Sequence, residues 1–228
     1  MNKHGFMFFV LAVACVVIGG RVGSWGWPII WFGMNCLILA FAYLCRFHRV
    51  FGKRPNGTLP FWSWFLFLPY FAYSNIVWNL IRFVTRERAY NQVSPNLIVG
   101  RRLLGHEIPG DVLNYIDLTA EFTEPTQARN LNGYLCLPIL DAGAPNPELL
   151  LKTLSGLKPG KTFVHCAQGH GRTGLFAVAI LLASRAATSV DEAISVLQST
   201  RPGIRLNAEQ RSCVRAFAQL ALKNPSGA

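Results

Sequence analysis

The feature that most constrains this 228-residue chain is the segment 162–183, where a short apolar run, a glycine-rich loop and a longer apolar run follow one another. The loop has Cys166 at its start and Arg172 at its end, with five residues between them. A strand that enters a tight glycine loop and leaves as a helix directs backbone N–H groups into one concavity, which attracts anions. The same field stabilises a thiolate. The segment therefore predicts a nucleophile and an oxyanion cradle in one loop.

Two nucleotide-binding interpretations of this loop fail on context. The stretch Gly169–Gly174 matches G-x-G-x-x-G, but a dinucleotide fold has an acid at the end of the next strand, about 20 residues later. Here Asp191 falls at the start of a predicted helix, and the loop lies late in the chain. The Walker pattern fails because no lysine follows the last glycine. A tight turn around a buried cysteine is the simplest alternative, but it does not explain why Arg172 and His170 share the loop with three glycines.

Apolar runs and helical patterns alternate around the loop, which predicts an α/β domain with a mostly parallel central sheet flanked by helices. Strands are predicted at 96–100, 112–118, 134–139 and 162–164. Helices are predicted at 147–157 and 173–187, then from the capping pair Ser189 and Glu192 to 201–203, and from Asn207 with Gln210 onward.

The first 90 residues have a different composition, with nine lysines and arginines and one acidic residue, against thirteen and ten in the remainder. Charge-free apolar runs at about 5–22 and 27–45 predict a helical hairpin in a membrane, although the first is short against the roughly twenty residues a span needs. A cleaved signal peptide also has a basic start and an apolar core, but here a second apolar run follows at once. Because the basic residues border apolar runs, the charge indicates a membrane and not nucleic acid.

The basic residues also predict an orientation. Five basic side chains lie within 46–54, directly after the hairpin, and the positive-inside rule places them in the cytoplasm. A third apolar segment at about 59–81 contains Pro60 and Pro69 and either spans the membrane or is re-entrant. The re-entrant arrangement is favoured, because it keeps the basic residues of 82–88 on the same side. The chain is thus expected to be an integral membrane protein with a cytoplasmic domain, where its six cysteines stay reduced.

The chain carries the pattern His-Cys-x5-Arg-Thr at His165, Cys166, Arg172 and Thr173. This is the signature of the cysteine-based protein tyrosine phosphatases, and residues 94–222 resemble their dual-specificity branch. Weaker supporting matches are Asn96–Gly100 before the loop and Arg201-Pro202 after it. The resemblance implies a protein-tyrosine-phosphatase-like catalytic domain at 91–228, which follows N-terminal transmembrane helices at 1–90 that lie outside the family's pattern. It also implies hydrolysis of phosphomonoesters through a phosphocysteine intermediate, with no cofactor and no metal.

The resemblance implies a role for each residue of the signature. Cys166 is the nucleophile, and Arg172 binds the phosphate. His165 shapes the environment of the thiolate, or is simply a buried histidine at a strand end. Thr173 steadies the thiolate as it leaves, or caps the helix, or both. The phosphate loop that binds the substrate comprises Ala167, Gln168, Gly169, His170, Gly171 and Arg172.

A general acid must protonate the leaving oxygen. In the resembled family it is an aspartate on a mobile loop upstream of the cysteine. Asp141 is the expected acid, because it lies between a predicted strand and a Gly/Ala/Pro loop, 25 residues before Cys166. Asp117, at a predicted strand end 49 residues before the cysteine, is the rival. Asp111 and Glu121 are expected to be surface charges.

The sequence leaves the substrate class open. Phosphoproteins that carry phosphotyrosine, phosphoserine or phosphothreonine are the first expectation. Lipid-directed relatives often carry extra positive charge in this loop, and His170 could supply it when protonated, whereas Ala167 and Gln168 cannot. An anionic phospholipid or phosphoinositide is therefore the alternative. A second alternative is a pseudophosphatase that binds phosphate without hydrolysis. The expected partners are such a substrate and a membrane, with no nucleic acid.

Overall fold

The computed structural model describes residues 3–223, which form two compact units. The helical unit comprises the chain up to Arg54, Thr58–Arg86 and Ala120–Phe122. The sheet unit comprises Pro55–Gly57, Glu87–Thr119 and the chain from Thr123 onward. The chain passes from the helical unit to the sheet unit between Arg86 and Glu87. The expected ranges 1–90 and 91–228 extend at both ends beyond the described residues.

The helical unit contains α1 (Lys3–Val22), α2 (Trp27–Leu44) and α3 (Phe61–Val84). A short 3₁₀ turn joins α1 to α2, and the two helices pack against each other over the ranges expected for the hairpin. Together they form a helical stretch of 42 residues that is long and apolar enough to cross a membrane, by length and composition.

Small residues allow the two helices of the hairpin to approach closely. Gly5, Ala12, Cys15 and Gly19 are the buried residues of α1. A Cβ atom on Gly26 would lie only 1.8 Å from the carbonyl oxygen of Gly19, so the two backbones touch there. Close approach through small residues is typical of helices that associate in lipid, where van der Waals contact replaces the hydrophobic effect.

The third helix is kinked. Phe67 has non-helical angles (φ −103°, ψ 17°), and Pro69 follows two residues later without an N–H to donate. The side chain of Asn35, fully buried on α2, lies across this break. Its Nδ2 donates to the carbonyl oxygen of Leu66 (3.0 Å), and its Oδ1 accepts from the N–H of Tyr70 (3.4 Å). The amide of Asn35 thus satisfies two backbone groups that pair with each other in a regular helix.

The sheet unit is built on five strands in the order β1-β2-β5-β3-β4. These are β1 (Tyr90–Ser94), β2 (Leu97–Arg101), β3 (Asn114–Thr119), β4 (Tyr134–Ile139) and β5 (Thr162–Cys166). The edge strand β1 is antiparallel to β2, and the other three pairings are parallel. The α/β fold with a mostly parallel central sheet is therefore confirmed, with β1 as an additional strand that the sequence did not predict.

Five helices accompany the sheet: α4 (Thr126–Arg129), α5 (Pro147–Ser155), α6 (Gly171–Ala183), α7 (Val190–Thr200) and α8 (Ala208–Lys223). Helix α6 is apolar on most of its circumference. Nine of its thirteen residues are buried, and six of these belong to the main hydrophobic core. It begins at Gly171, two residues before the expected start. The loop between β5 and α6 therefore opens at the carboxyl ends of the parallel strands, where α/β sheets bind their ligands.

Candidate active site

The loop between β5 and α6 encloses the sulfur of Cys166, which is only 3% exposed. The N–H of Gly169 donates to this sulfur at 3.3 Å. Gly169 has a φ of +77°, and a Cβ atom there would lie 2.4 Å from the carbonyl group of Gly100 on β2. Only glycine meets both conditions. The close contact with β2 therefore shapes a loop that presents a hydrogen-bond donor to the sulfur.

Arg172 lies in the first turn of α6 and is almost fully buried. Its Nη1 donates to the carbonyl oxygen of Ile139, the last residue of β4, at 2.9 Å. Its Nη2 lies 3.1 Å from Oδ1 of Asp141. One edge of the guanidinium is thus fixed to the sheet, while the other faces the predicted acid. An arginine that is fixed in this way is suited to bidentate binding of a phosphate.

Asp141 lies in the loop after β4, and its side chain is 74% exposed, whereas Gly143, Ala144 and Pro145 in the same loop are buried. The loop is held by the two residues that the sequence marked as a helix start. Asn207 Nδ2 donates to the carbonyl oxygen of Ala142 (2.7 Å), and Gln210 Nε2 donates to that of Gly143 (3.2 Å). Ala142 has a left-handed φ of +57°. The beginning of α8 therefore positions the predicted acid, a role that the sequence did not reveal because it depends on a contact 65 residues away.

His165 is fully buried and directly precedes Cys166. Its Nδ1 lies 3.4 Å from the carbonyl oxygen of Cys166. Its Nε2 faces two buried carboxylates, at 3.7 Å from Glu124 and 3.9 Å from Asp117. The histidine thus connects the phosphate loop to the buried carboxylates of Asp117 and Glu124. Asp117 belongs to this buried cluster and Asp141 faces Arg172, so the geometry favours Asp141 as the acid.

The donor atoms of Asp117, Glu124 and His165 lie within 4.8 Å of one another, a spacing that a metal ion would also accept. Both carboxylates are already bound by protein donors, however. Tyr134 donates its hydroxyl to Asp117 (2.7 Å), and Arg102 Nε donates to Glu124 (2.9 Å). Burial, reinforced by the charge of Asp117, raises the pKa of Tyr134, so its hydroxyl keeps the proton that it donates. The cluster therefore fits a buried ion-pair network around His165.

Thr173 is buried in the first turn of α6, and its hydroxyl lies 3.5 Å from the carbonyl oxygen of Gly100, which it can reach as a donor. His170 occupies the N-cap position of α6, so Thr173 is the third residue of the helix and does not cap it. The role of Thr173 in steadying the thiolate stays a prediction.

The two acids that were expected at the surface differ. Asp111 is exposed and pairs with Lys161, and this hydrogen bond holds the pKa of Asp111 below its ordinary value. The expectation for Glu121 is wrong, since this residue is only 6% exposed. Its Oε2 accepts the N–H of Ala120 at 2.9 Å.

Arg201 is a further residue that shapes the loop. It is almost fully buried, its Nε donates to the carbonyl oxygen of Gly169 (3.0 Å), and its Nη2 donates to that of Gln168 (3.1 Å). Burial lowers the pKa of the Arg201 guanidinium from its ordinary value, and the charge of Glu87 opposes this shift. The sequence marked Arg201 only as the end of α7 and as a weak match to the resembled family.

Comparisons with known proteins give matches in structure but not in sequence. No family model matches the chain, and no curated protein is similar to it in sequence. The crystal structure of Tk-PTP in its active form is 24% identical, covers 57% of this chain and 97% of its own, and has a TM-score of 0.52. A mutant form of Tk-PTP is 25% identical over 59% of this chain and 97% of its own, with a TM-score of 0.50.

A third similar structure is PTPMT1 in complex with PI(5)P. It is 18% identical, covers 61% of this chain and 100% of its own, and has a TM-score of 0.50. At these identities the similarity establishes the fold. Together with the strand order and the loop geometry, it shows that the chain has the dual-specificity-phosphatase-like fold of the cysteine-based protein tyrosine phosphatases.

Proposed function

We propose that the chain is a membrane-anchored phosphatase that hydrolyses phosphomonoesters, with phosphorylated proteins as the leading substrate class. The observation that carries this proposal is the placement of Cys166 and Arg172 at the two ends of one loop, with Asp141 from the loop after β4 beside Arg172. The sulfur accepts an N–H bond, and the guanidinium lies 3.1 Å from the carboxylate. This is the set of groups that in-line phosphoryl transfer to a thiolate requires.

In the first step, the thiolate of Cys166 attacks phosphorus. The S–P bond forms as the bond between phosphorus and the leaving oxygen breaks. Asp141, in its protonated form, gives its proton to that oxygen. Arg172 and the N–H groups of the loop bind the non-bridging oxygens, and they bind most strongly in the transition state. A phosphate in the cradle competes with Asp141 for the guanidinium, which frees the carboxyl group for the leaving oxygen.

In the second step, water attacks the phosphocysteine. Asp141, now a carboxylate, accepts a proton from the water as the P–O bond forms and the S–P bond breaks. Phosphate leaves, and Cys166 returns to its thiolate form. His165 and Thr173 are proposed to assist by fixing the position and charge of the sulfur.

Turnover of a chromogenic aryl phosphate by the full chain in detergent tests this proposal. Cys166→Ser should lower kcat by about 10⁴-fold or more, because a serine hydroxyl is not ionised at neutral pH. Binding of inorganic phosphate, measured by calorimetry, should survive the substitution because Arg172 and the loop remain.

Cys213→Ser is the matched control. Burial raises the pKa of the Cys213 thiol to about 11, so it is protonated at neutral pH, and its contact with the carbonyl oxygen of Pro145 is one that a serine can also make. This variant should keep wild-type turnover. Unchanged activity of Cys166→Ser contradicts the covalent mechanism. A wild-type protein that binds phosphate without any turnover supports the pseudophosphatase instead.

An anionic phospholipid is the second candidate substrate. The apolar helical stretch Lys3–Leu44 and the basic residues of 46–54 favour it, because an anchored site meets lipid headgroups. PTPMT1, which shares the fold, was crystallised with PI(5)P. Phosphopeptides and anionic phospholipids, compared as substrates of the full chain in vesicles, separate the two classes.

A further inference from the structure

Two basic side chains beside the phosphate loop are directed at one carboxylate oxygen. Oε2 of Glu87 lies 2.8 Å from Nε2 of His170 and accepts from Nη2 of Arg201 at 3.0 Å. Glu87 is 83 residues from His170 and 114 from Arg201 in sequence. It is also the one acidic residue among the first 90. Only the folding of the chain therefore brings Glu87 next to His170 and Arg201.

Arg201 depends on this carboxylate for charge balance. Its Nη1 donates to the carbonyl oxygen of Arg88 and to Oδ1 of Asn91, and its other nitrogens reach the loop carbonyls described above. All of these acceptors except Glu87 are neutral. A buried guanidinium is stable when an anion offsets its desolvation, and Glu87 supplies that anion.

His170 is fixed in the same direction. It belongs to the phosphate loop, and its side chain is 36% exposed. A Cβ atom on Gly203 would lie 2.4 Å from Nε2 of His170, so the imidazole lies against the backbone after α7. In this orientation the imidazole nitrogen is bound to Glu87. The imidazole that could supply extra positive charge to the loop is thus already bound to a carboxylate of the chain itself.

We propose that Glu87 is a specificity-determining residue, because its carboxylate binds the imidazole of His170 and so keeps that imidazole from binding an anionic group of the substrate. The site then favours substrates with one phosphate over the same substrates with a second phosphate beside the first. Ala167 and Gln168 add no charge to the loop, so Arg172 is the cation that it offers to the phosphate. This inference rests on the proposed phosphatase function and narrows its substrate.

Glu87→Gln is the sharpest test, because the amide oxygen can still accept from Arg201 while the negative charge is lost. The measured quantity is the ratio of kcat/KM for the doubly and the singly phosphorylated forms of one substrate. One arm uses a peptide and the other a short-chain inositol phospholipid. At about pH 6, where a free imidazole is mostly protonated, the ratio should rise about tenfold in the variant. At about pH 8 most of this gain should disappear.

Three further variants distinguish charge from shape. Glu87→Asp keeps the charge and should hold the ratio near its wild-type value. The double variant Glu87→Gln/His170→Gln should lose the gain, because it lacks the released imidazole. Asp191→Asn removes an acid from an exposed pair with Arg211 and should change nothing. An unchanged ratio in Glu87→Gln, or an equal rise in Asp191→Asn, overturns the proposal.

A binding measurement separates this inference from the proposed function. In the Cys166→Ser background, calorimetry gives the affinities for inorganic phosphate and for pyrophosphate. Adding Glu87→Gln should strengthen pyrophosphate relative to phosphate at about pH 6. If that shift appears while the wild-type chain shows no turnover of any substrate, the phosphatase proposal fails and the inference stands. If the relative affinity is unchanged, the inference fails whatever the activity.

Discussion

At the scale of single residues, the cradle depends on groups that are distant in sequence. The end of β4 fixes Arg172, and the start of α8 fixes the loop that contains Asp141. Arg201 binds the backbone of the phosphate loop. Cys166 and Arg172, with five residues between them, identify the site in the sequence, but the residues that shape it cannot be identified in this way. The effect of replacing Asp141 is easy to interpret, because its exposed carboxylate takes no part in the packing of the core.

Asp141→Asn should therefore affect chemistry without affecting stability. An amide cannot protonate the leaving oxygen, so kcat for an alkyl phosphate such as phosphoserine should fall about 10²–10⁴-fold. Cleavage of p-nitrophenyl phosphate should fall much less, because its leaving group needs no proton. Steady-state kinetics on the two substrates measures the difference.

Asp111→Asn is the control for a lost surface acid, and its kinetics should match the wild type on both substrates. Equal losses on the two substrates in Asp141→Asn would show that Asp141 acts through binding and not as the acid.

At this scale the sequence predicted the local motif and missed the long-range pairs. His165, Cys166, Arg172 and Thr173 lie within nine residues, so a single segment carries their chemistry. Glu87 could not be predicted, because its partners are 83 and 114 residues away and nothing local distinguishes it from a solvated linker charge. The error on Glu121 has a different cause, since its carboxylate binds the N–H of the neighbouring Ala120 in a turn that the sequence pattern does not specify.

At the scale of elements, the clearest dependence is that of α3 on α2. At the kink near Pro69, Asn35 binds the carbonyl of Leu66 and the N–H of Tyr70, and Nε1 of Trp31, also on α2, donates to the same carbonyl at 2.9 Å. In an apolar environment without water, an irregular turn of a helix is tolerated when a neighbouring helix supplies such groups. Asn35 is therefore a connection between two helices and not merely a polar residue in an apolar run.

Asn35→Leu should destabilise the full chain in detergent by about 1–2 kcal/mol, because it removes the bonds of a buried amide to the Leu66 carbonyl and the Tyr70 N–H. The Leu66 carbonyl keeps Nε1 of Trp31 as a donor at 2.9 Å, which limits the loss. The melting temperature, followed by intrinsic tryptophan fluorescence, should fall by several degrees. Asn75→Leu is the matched control, since Asn75 donates to Phe71 of its own helix, four residues before it. A melting temperature that falls equally in both variants would contradict the role assigned to Asn35.

Elements with a strong apolar pattern were predicted closely, and those without one were missed. The observed β4 coincides with the predicted range 134–139, and β2 and β3 differ from theirs by one or two residues at an end. Strand β1 has the sequence Tyr-Asn-Gln-Val-Ser, which is polar because it lies at the sheet edge and is half exposed. Helix α4 has only four residues, too few for a periodic pattern.

At the scale of the whole molecule, charge and apolar surface are concentrated in the first part of the chain. The net charge of +11 comes mostly from residues 1–90, and α1 and α2 expose many large apolar side chains. A water-soluble protein rarely exposes apolar surface of that extent. We therefore expect lipid to cover these helices in the cell, with the basic residues at the cytoplasmic headgroups.

Extraction of membranes with alkaline carbonate tests this expectation on the full chain. The protein should remain in the pellet, as integral membrane proteins do. In sealed vesicles, added protease should cleave the sheet unit only when the cytoplasmic face is outward. Release into the carbonate supernatant would contradict the anchor, and cleavage in right-side-out vesicles would contradict the orientation.

Gly169 and Gly100 touch through their backbones, and this contact restricts how the sequence can diverge. A side chain at position 169 would strike the carbonyl of β2, and one at 100 would strike Phe163 and the segment before β1. We therefore expect glycine to be retained at both positions, although they lie 69 positions apart in the sequence. Ala167 and Gln168 are free of this restriction, so descendants of this chain should vary there while both glycines persist.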